Sequence, residues 1–364
     1  MLRDWHTPDT APPTNQAPDQ APDQVPERAS RQPDGAQPGP LCRATWTPES
    51  LAGVAQAVRR GGEALARLPV SRLVAVWQDT VAAFLDPSSV ERRELAGPLA
   101  TLTRLSPQGL DAALAAVLGG VAAEHAARVF EAAAGSPADD PSPVLVILSS
   151  NLPALAVQPL LPILASRRPA ILKSPSAEPL FTPAFVAALA RREPAMEGAV
   201  AAVTWQGGNH ELEQPLLAAA GHVLAYGDQD TLADLGRRMG RIGRRRKLIA
   251  YGPKTSLAVI GDGADPAAVA DGLARDVALF DQRGCLSLAA VYTTGDPEEL
   301  ARELGSALER AARRWPPGPI TAAEASAARQ ARDAAAMRGA LVLPANPAAA
   351  GDGTHPHQEP RLAT

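Results

Sequence analysis

Cysteine is nearly absent from this chain. Its 364 residues carry two, Cys42 and Cys285, in separate regions. Two isolated thiols make neither a disulfide framework nor a pair of metal ligands. The start, Met1-Leu2-Arg3-Asp4-Trp5-His6, lacks the apolar core of a secretory leader. No run of about 18 apolar residues is evident, so no membrane-spanning helix is expected. Together these absences predict a reducing, cytoplasmic setting. There is no basic excess either. The net charge is −4, which argues against a nucleic-acid partner. One local basic cluster, Arg237-Arg238 through Arg241 to Arg244-Arg245-Arg246-Lys247, reads as a solvated helix face, with a phosphate site as the alternative. The six histidines are scattered, and His355 and His357 fall in a Gly/Pro-rich tail, so no metal site is read.

The length and a 46% hydrophobic content are enough for two domains with a sizeable core. Residues 1–45 are proline-rich and polar, with the near-repeat Gln16-Ala17-Pro18-Asp19-Gln20-Ala21-Pro22-Asp23-Gln24. Such a segment buries too little apolar surface to offset its ordering entropy, and disorder is expected. From Pro48 to Ala134 the pattern is helical. Leu51, Val54, Ala55 and Val58 share one face, and Val74, Trp77, Val81 and Leu85 another.

The pattern changes at Pro143. The apolar run Val144-Leu145-Val146-Ile147-Leu148 has strand length and suits a strand covered on both faces. Strand-like runs at 169–173, 200–205, 222–226 and 247–251 then alternate with helix-like stretches at 155–165, 181–191, 210–219 and 231–240. That alternation predicts a parallel, doubly wound sheet, which binds ligands beyond the carboxyl ends of its strands. Asn151, Lys173, Gln206-Gly207-Gly208, Gly227-Asp228 and Gly252 stand at those ends. A second unit, 256–343, opens with a strand at 257–260. Its first helix starts at Asp265 as N-cap with Pro266 at the first helical position. A strand at 289–293, helices at 297–314 and 321–338 and a short strand at 341–343 complete it. Residues 344–364 read as a disordered tail.

Three residues carry candidate chemistry. Cys285 lies in the short polar segment Phe280-Asp281-Gln282-Arg283-Gly284-Cys285-Leu286-Ser287, between a helix and a strand. A thiol at such a junction suits a nucleophile facing a cleft. The alternative is a buried structural cysteine. Asn151 suits a carboxamide donor to a developing oxyanion, or a helix cap. Lys173 suits a ribose or phosphate ligand, or an exposed strand end.

Taken in order, these pieces resemble the aldehyde dehydrogenase superfamily, and within it the long-chain acyl-CoA reductases of the bacterial luminescence type. The resemblance rests on Ser150-Asn151-Leu152-Pro153, Ile171-Leu172-Lys173-Ser174-Pro175-Ser176, Trp205-Gln206-Gly207-Gly208 and Ala225-Tyr226-Gly227-Asp228. Its most specific pieces are Tyr251-Gly252-Pro253-Lys254-Thr255-Ser256 and the segment from Asp276 to Ser287. It covers about residues 50 to 340.

The resemblance implies an α/β fold. A helical lead-in and a doubly wound dinucleotide-binding domain would occupy 46–255. A catalytic domain carrying the nucleophile would occupy 256–343. Family members continue well beyond the nucleophile, so this catalytic domain is expected to be incomplete. By resemblance Cys285 is the acyl acceptor and Asn151 the side-chain half of the oxyanion hole. Lys173 is the cofactor-ribose lysine, Gly227 lies by the pyrophosphate, and Gly208 joins them at the cofactor edge. Aldehyde-oxidising relatives carry a water-activating glutamate where this chain has Ala250. Its absence favours acyl transfer and reduction. Where many NAD-using members carry a ribose-binding glutamate, this chain has Ser176, which tolerates a 2′-phosphate and points to NADP(H). The implied substrate is a fatty acyl-CoA or acyl carrier, with an acyl-protein synthetase as a candidate partner; the oligomeric state stays open, a homo-oligomer being one option. The rival readings are a short-chain acylating aldehyde dehydrogenase and a non-catalytic relic or binding subunit.

Overall fold

The computed structural model describes residues 45–133, 141–149, 152–243, 246–284 and 286–340. The disorder expected over 1–45 falls outside them except at Thr45. The tail after Pro344 and the short strand at 341–343 also lie outside. The chain divides into two units, Met1–Thr45 and Trp46–Thr364, and the fold described is that of the second.

Five helices lead: α1 (Pro48–Arg67), α2 (Val70–Leu85), α3 (Val90–Thr103), α4 (Pro107–Gly119) and α5 (Ala123–Ala133). Their starts are written in the sequence. Thr47 and Ser50 form a reciprocal capping box ahead of α1, and the Ser89 and Ser106 hydroxyls accept from the backbone N–H groups of Arg92 and Gly109. Strands and helices then alternate as β1 (Val144–Ile147), α6 (Val157–Ala165), β2 (Ala170–Ser174), α7 (Phe181–Arg192) and β3 (Val200–Thr204). The series continues with α8 (His210–Ala219), β4 (His222–Tyr226), α9 (Gln229–Ile242) and β5 (Lys247–Tyr251).

The sheet order is β3-β2-β1-β4-β5, with every pairing parallel. All five carboxyl ends therefore share one edge. The chain winds outward from β1 in both directions, which opens a crevice beside β1 at that edge. Alternate residues of each strand face opposite layers. Val144, Val146, Ala170 and Leu172 join a core with Trp77, Phe84, Leu118, Phe130, Phe181 and Phe185. Leu145, Ile147, Ile171 and Val223 join a second core with Leu51, Val58, Leu216 and Leu235. Helix α1 thus crosses to the face of the sheet opposite α2–α7. It passes so near the turn before β3 that a Cβ on Gly61 would run into the Gly198 backbone.

A βαβ unit follows, with β6 (Ser256–Ile260), α10 (Pro266–Ala278) and β7 (Leu288–Thr293). Strands β6 and β7 pair in parallel. Asp265 caps α10, accepting from the Ala267 N–H at 3.0 Å, as its sequence predicts. Helix α11 (Pro297–Arg314) packs on α10 through Leu300, Leu304 and Ala307, and α12 (Ala322–Met337) follows.

Three expectations need correction. The buried face of α2 is Leu73, Val76, Trp77, Thr80, Val81 and Phe84, while Val74 and Leu85 are only partly buried, so the core stripe is turned by about one residue. The basic cluster is not simply a solvated face. Arg238 is 2.7 Å from Glu213 with both side chains largely buried, and Arg246 donates to the Ala218, Ala220 and Ile242 carbonyls at the ends of α8 and α9. Arg244 and Arg245 lie outside the described residues. Finally, one stretch, Pro107–Ala133, is long and apolar enough to cross a membrane by length and composition. It is broken between Gly119 and Ala123 into α4 and α5, and its Leu110, Leu114, Leu118 and Phe130 are in the protein core.

Candidate active site

The carboxyl edge gathers the strand-end residues. In register, Ile147 lies beside both Lys173 and Ala225, Ser174 beside Thr204, and Tyr226 beside Tyr251. The chain after β1 therefore leaves the sheet between Lys173 on one side and Gly227 on the other. Asn151 lies outside the described residues, as does Cys285.

Lys173 is not an exposed strand end. It is 6% accessible, and its ammonium sits 5.7 Å from the centroid of the Trp205 ring. Burial pushes its pKa below the ordinary lysine value, and the Glu213 carboxylate partly opposes that. Among the described residues its ammonium has neither a hydrogen-bond nor an ion-pair partner. The buried Ser174 Oγ and Trp205 Nε1 are likewise unpartnered. Buried donors without acceptors are rare, and each needs an explanation. Here they stand at the edge where a parallel sheet binds ligand. Gly208, with φ of +82°, and exposed Ser176 stand at the same edge, and a Cβ on Gly208 would meet open space. Lone donors, a bare glycine turn and the Gly227 turn fit the ribose and phosphate oxygens of a dinucleotide.

The segment before Cys285 is a strained turn. Phe280, Asp281 and Gln282 all have positive φ, at 60°, 54° and 60°, and none is glycine. Each such residue costs about 1–2 kcal/mol. The turn persists because its surroundings hold it. The Gln282 amide donates to the Val277 carbonyl at 2.7 Å, closing the end of α10. Asp281 Oδ2 accepts from the Gly318 N–H at 2.9 Å. Arg283 donates to the Thr103, Arg104 and Pro319 carbonyls at 3.3, 3.2 and 3.2 Å. Phe280 packs against the core of the helical layer.

The two halves of the site meet through their neighbours. A Cβ on Gly284 would lie 3.3 Å from Leu152 Cδ2, from the Phe280 ring and from Ser287 Oγ. Leu152 directly follows Asn151, and Gly284 directly precedes Cys285. The Ser287 hydroxyl is buried and unpartnered among the described residues. Ala154, three residues after Asn151, is itself left-handed at φ 64° and fully buried. A separate cavity of about 360 Å³ opens between α4 and the α10–α11 pair, lined by Ala112, Ala116, Arg275, Leu279, Arg314 and Trp315. It contains none of the strand-end residues.

Sequence reasoning missed Glu178. Its carboxylate accepts from the Leu180 and Phe181 N–H groups at 2.8 Å each, capping α7 beside the carboxyl edge. Burial raises its pKa to about 7 against those two bonds. The signal was available: an acidic side chain two and three positions before N–H groups that a helix start leaves unpaired. Arg283 and Ser174 carried no such local signal.

A parallel sheet in this order, followed by a βαβ unit whose Gly284 approaches the segment after β1, has the aldehyde dehydrogenase fold, as two solved structures show. The chain is similar to an NADP-dependent glyceraldehyde-3-phosphate dehydrogenase from Bacillus halodurans, solved in complex with NADP. That match has a TM-score of 0.63 and 16% identity, covering 87% of this chain and 67% of that one. It is also similar to an NAD-dependent benzaldehyde dehydrogenase from Corynebacterium glutamicum, with a TM-score of 0.61 and 16% identity over 82% of this chain and 68% of that one.

The particular family follows from sequence. The acyl-CoA reductase (LuxC) model matches residues 106–348, and the chain belongs to that family. It is 24% identical over 166 residues, 43% of this chain, to long-chain acyl-protein thioester reductase 2 of Photobacterium leiognathi. It is 39% identical over 72 residues, 20% of this chain, to the long-chain acyl-protein thioester reductase of Aliivibrio fischeri. The matched segments span 34% and 15% of those two relatives.

Proposed function

We propose that this protein reduces a long-chain fatty acyl thioester to the aldehyde through a covalent intermediate on Cys285. The observation that carries this reading is the close approach of Leu152 to Gly284, where an added Cβ would lie 3.3 Å from Leu152 Cδ2, which brings together the immediate neighbours of Asn151 and Cys285. The Cys285 thiolate attacks the acyl carbon, forming the enzyme thioester and releasing the carrier thiol. The Asn151 carboxamide donates to the oxyanion of each tetrahedral species. When bound at the carboxyl edge, NADPH supplies the hydride that the reduction needs. Lys173, Ser176, Gly208 and Gly227 are the residues that would hold it. Expulsion of the Cys285 thiolate from the thiohemiacetal then gives the aldehyde.

Ala250 supports reduction over hydrolysis. It lies near the end of β5 in register with Ala225 and brings no carboxylate to activate water. The names of the two curated relatives support an acyl-protein as the natural acyl donor, with acyl-CoA as its simpler substitute. Ser176 supports NADPH over NADH, since a small hydroxyl leaves room for the 2′-phosphate.

Incubation with radiolabelled long-chain acyl-CoA tests the reading. The parent and Cys42→Ser take the label, and Cys285→Ser does not. Equal labelling of Cys285→Ser and the parent overturns it. NADPH then discharges the label from the parent as aldehyde, whereas discharge as the free acid would contradict reduction.

A further inference from the structure

We infer that Arg283 is a positioning residue, whose grip on the end of α3 and on the loop after α11 sets the place of the segment ending in Cys285. The inference rests on Cys285 as acyl acceptor and adds a residue that touches no substrate.

Three distant segments interlock around this guanidinium. The first is the end of α3, where Thr103 and Arg104 present their carbonyls to Nη1. These are last-turn acceptors with no partner inside the helix, at its negative end. The second is the loop after α11. Pro319 accepts from Nη2, and Pro316 accepts from the Ser106 hydroxyl at 2.5 Å. A Cβ on Gly318 would fall inside the Arg104 carbonyl, so the loop lies directly on the α3 end. The third is the strained turn itself, whose Asp281 is 3.7 Å from Arg283 and takes the Gly318 N–H. Glu324 closes the assembly. It takes two bonds from Arg104, at 2.9 and 2.8 Å, and lies 3.9 Å from Arg283 Nε.

A fork of fixed donors suits this task, because it bonds in divergent directions at once. Left-handed residues in a row with no glycine hold their shape only where surroundings over-determine them. Of the three bonded anchors, Gln282 ties the turn to its own helix and Asp281 ties it to the 318 loop. Arg283 ties it to the helical layer that also packs against α6, the helix following Asn151. Its loss therefore changes the relation between the two halves of the site and leaves the strand-end residues untouched.

The test uses the full chain in a Cys42→Ser background, so that Cys285 is the sole thiol. Arg283→Ala, Arg283→Lys and Gly318→Ala are compared with the parent for capture of radiolabelled long-chain acyl-CoA and for alkylation by iodoacetamide. A misplacement of about 1 Å costs about 100-fold in rate. Arg283→Ala is expected to lower the maximal acylation rate roughly 10- to 100-fold, with the half-saturating acyl-CoA concentration and NADPH binding unchanged. Arg283→Lys recovers part of the loss, and Gly318→Ala, which pushes the loop off α3, falls in the same direction. Acylation of Arg283→Ala at the parental rate overturns the inference, as does a lysine variant no better than alanine. If the parent takes no label, the acyl-acceptor reading fails, and the alkylation rates still decide the role of Arg283. Equal alkylation of Cys285 in parent and variants then overturns it. Should Arg283→Ala fail to fold, Arg283→Lys and Gly318→Ala decide the matter by the same two rates: both slowed supports the role, both at the parental rate overturns it.

Discussion

Replacing Gly284 by alanine isolates the close approach on which the proposed site rests. The new methyl would meet Leu152 Cδ2, the Phe280 ring and Ser287 Oγ, each at 3.3 Å. Ordinary carbon contacts begin near about 3.5 Å, so each neighbour must retreat by a few tenths of an ångström. Leu152 and Ser287 have rotatable side chains that can give. Phe280 sits on left-handed backbone and has less freedom. Overpacking typically costs about 1–3 kcal/mol, and this case belongs at the lower end. Alanine also restricts the unfolded chain, returning about 0.4–1 kcal/mol, since Gly284 does not need a left-handed backbone. The net loss of stability is therefore about 1 kcal/mol or less. Catalysis responds more strongly, because the displacement falls between the neighbours of Asn151 and Cys285. Scaling from about 100-fold per ångström, a shift of a few tenths slows acylation roughly 3- to 10-fold. Rapid-quench capture of labelled acyl-CoA measures the rate, and urea unfolding the stability. Gly272→Ala is the control. Gly272 lies inside α10 with open space around it, so alanine should gain about 1 kcal/mol and leave acylation unchanged. If Gly284→Ala acylates as fast as the parent, the Leu152–Gly284 contact does not set the geometry of the site.

Trp77 is fully buried, edge-on to Phe185 at 5.6 Å, and donates its indole N–H to the Val121 carbonyl at 2.8 Å. Trp77→Ala should lose about 3–5 kcal/mol in urea unfolding, and a loss under about 1 kcal/mol would contradict the core described for α2. Glu178 gives a pH signature. Its folded pKa of about 7 lies above the ordinary 4.5, so its stabilising contribution is fully present at low pH and is lost as pH rises through about 7. Between about pH 4.5 and 7 the parent should lose on the order of 3 kcal/mol through this group. Glu178→Gln keeps an acceptor for the two N–H groups and should remove that slope, and parallel stability curves would refute the assignment. Ala250 is exposed near the end of β5, so a carboxylate there stays solvated. Ala250→Glu should speed hydrolysis of the Cys285 thioester by less than the roughly 100-fold of a well-oriented base. Unchanged decay of the labelled acyl-enzyme would mean that the missing base belongs elsewhere.

The sheet was legible because its strands are short apolar runs between helix-length stretches, and a strand covered on both faces needs no finer pattern. β4 and β5 were found in the same way, although β5 is an edge strand with Ile249 and Tyr251 exposed. The cap at Asp265 was equally plain, since its side chain acts within two residues. What escaped was set by distant contacts. Periodicity placed the core stripe of α2 one residue off: Val74 and Leu85 pack against the core only in part, while Phe84 is drawn fully in against Phe181 and Phe185. Arg238 looked solvated until α8 brought Glu213 to it. The turn at Phe280–Gln282 left no mark in composition, since left-handed backbone usually announces itself with glycine or asparagine. Nothing local linked residue 151 to residue 284, and only the family resemblance did so.

Left-handed residues stand on both sides of the Leu152–Gly284 approach, on segments that arrive from different parts of the chain. A parallel strand delivers its chain outward from the sheet, and the following helix must carry it back over a face. Ala154, left-handed and buried, lies on the way from β1 to α6, where that turn back begins. The second segment arrives from the other direction, off the end of α10, and must be turned towards the first before β7 begins. Phe280, Asp281 and Gln282 make that turn. The turn at Phe280–Gln282 is held by packing and hydrogen bonds to the helical layer and the 316–319 loop, and Arg283 adds bonds to the α3 end. If Cys285 is the acyl acceptor, as proposed, its chemistry depends on the contacts of Arg283 with Thr103, Arg104 and Pro319 as well as on its own neighbours in sequence. On the proposed reading, substitutions at the end of α3 or in the 316–319 loop are expected to act on acylation through this frame, and substitutions at Lys173 or Gly208 through the cofactor edge.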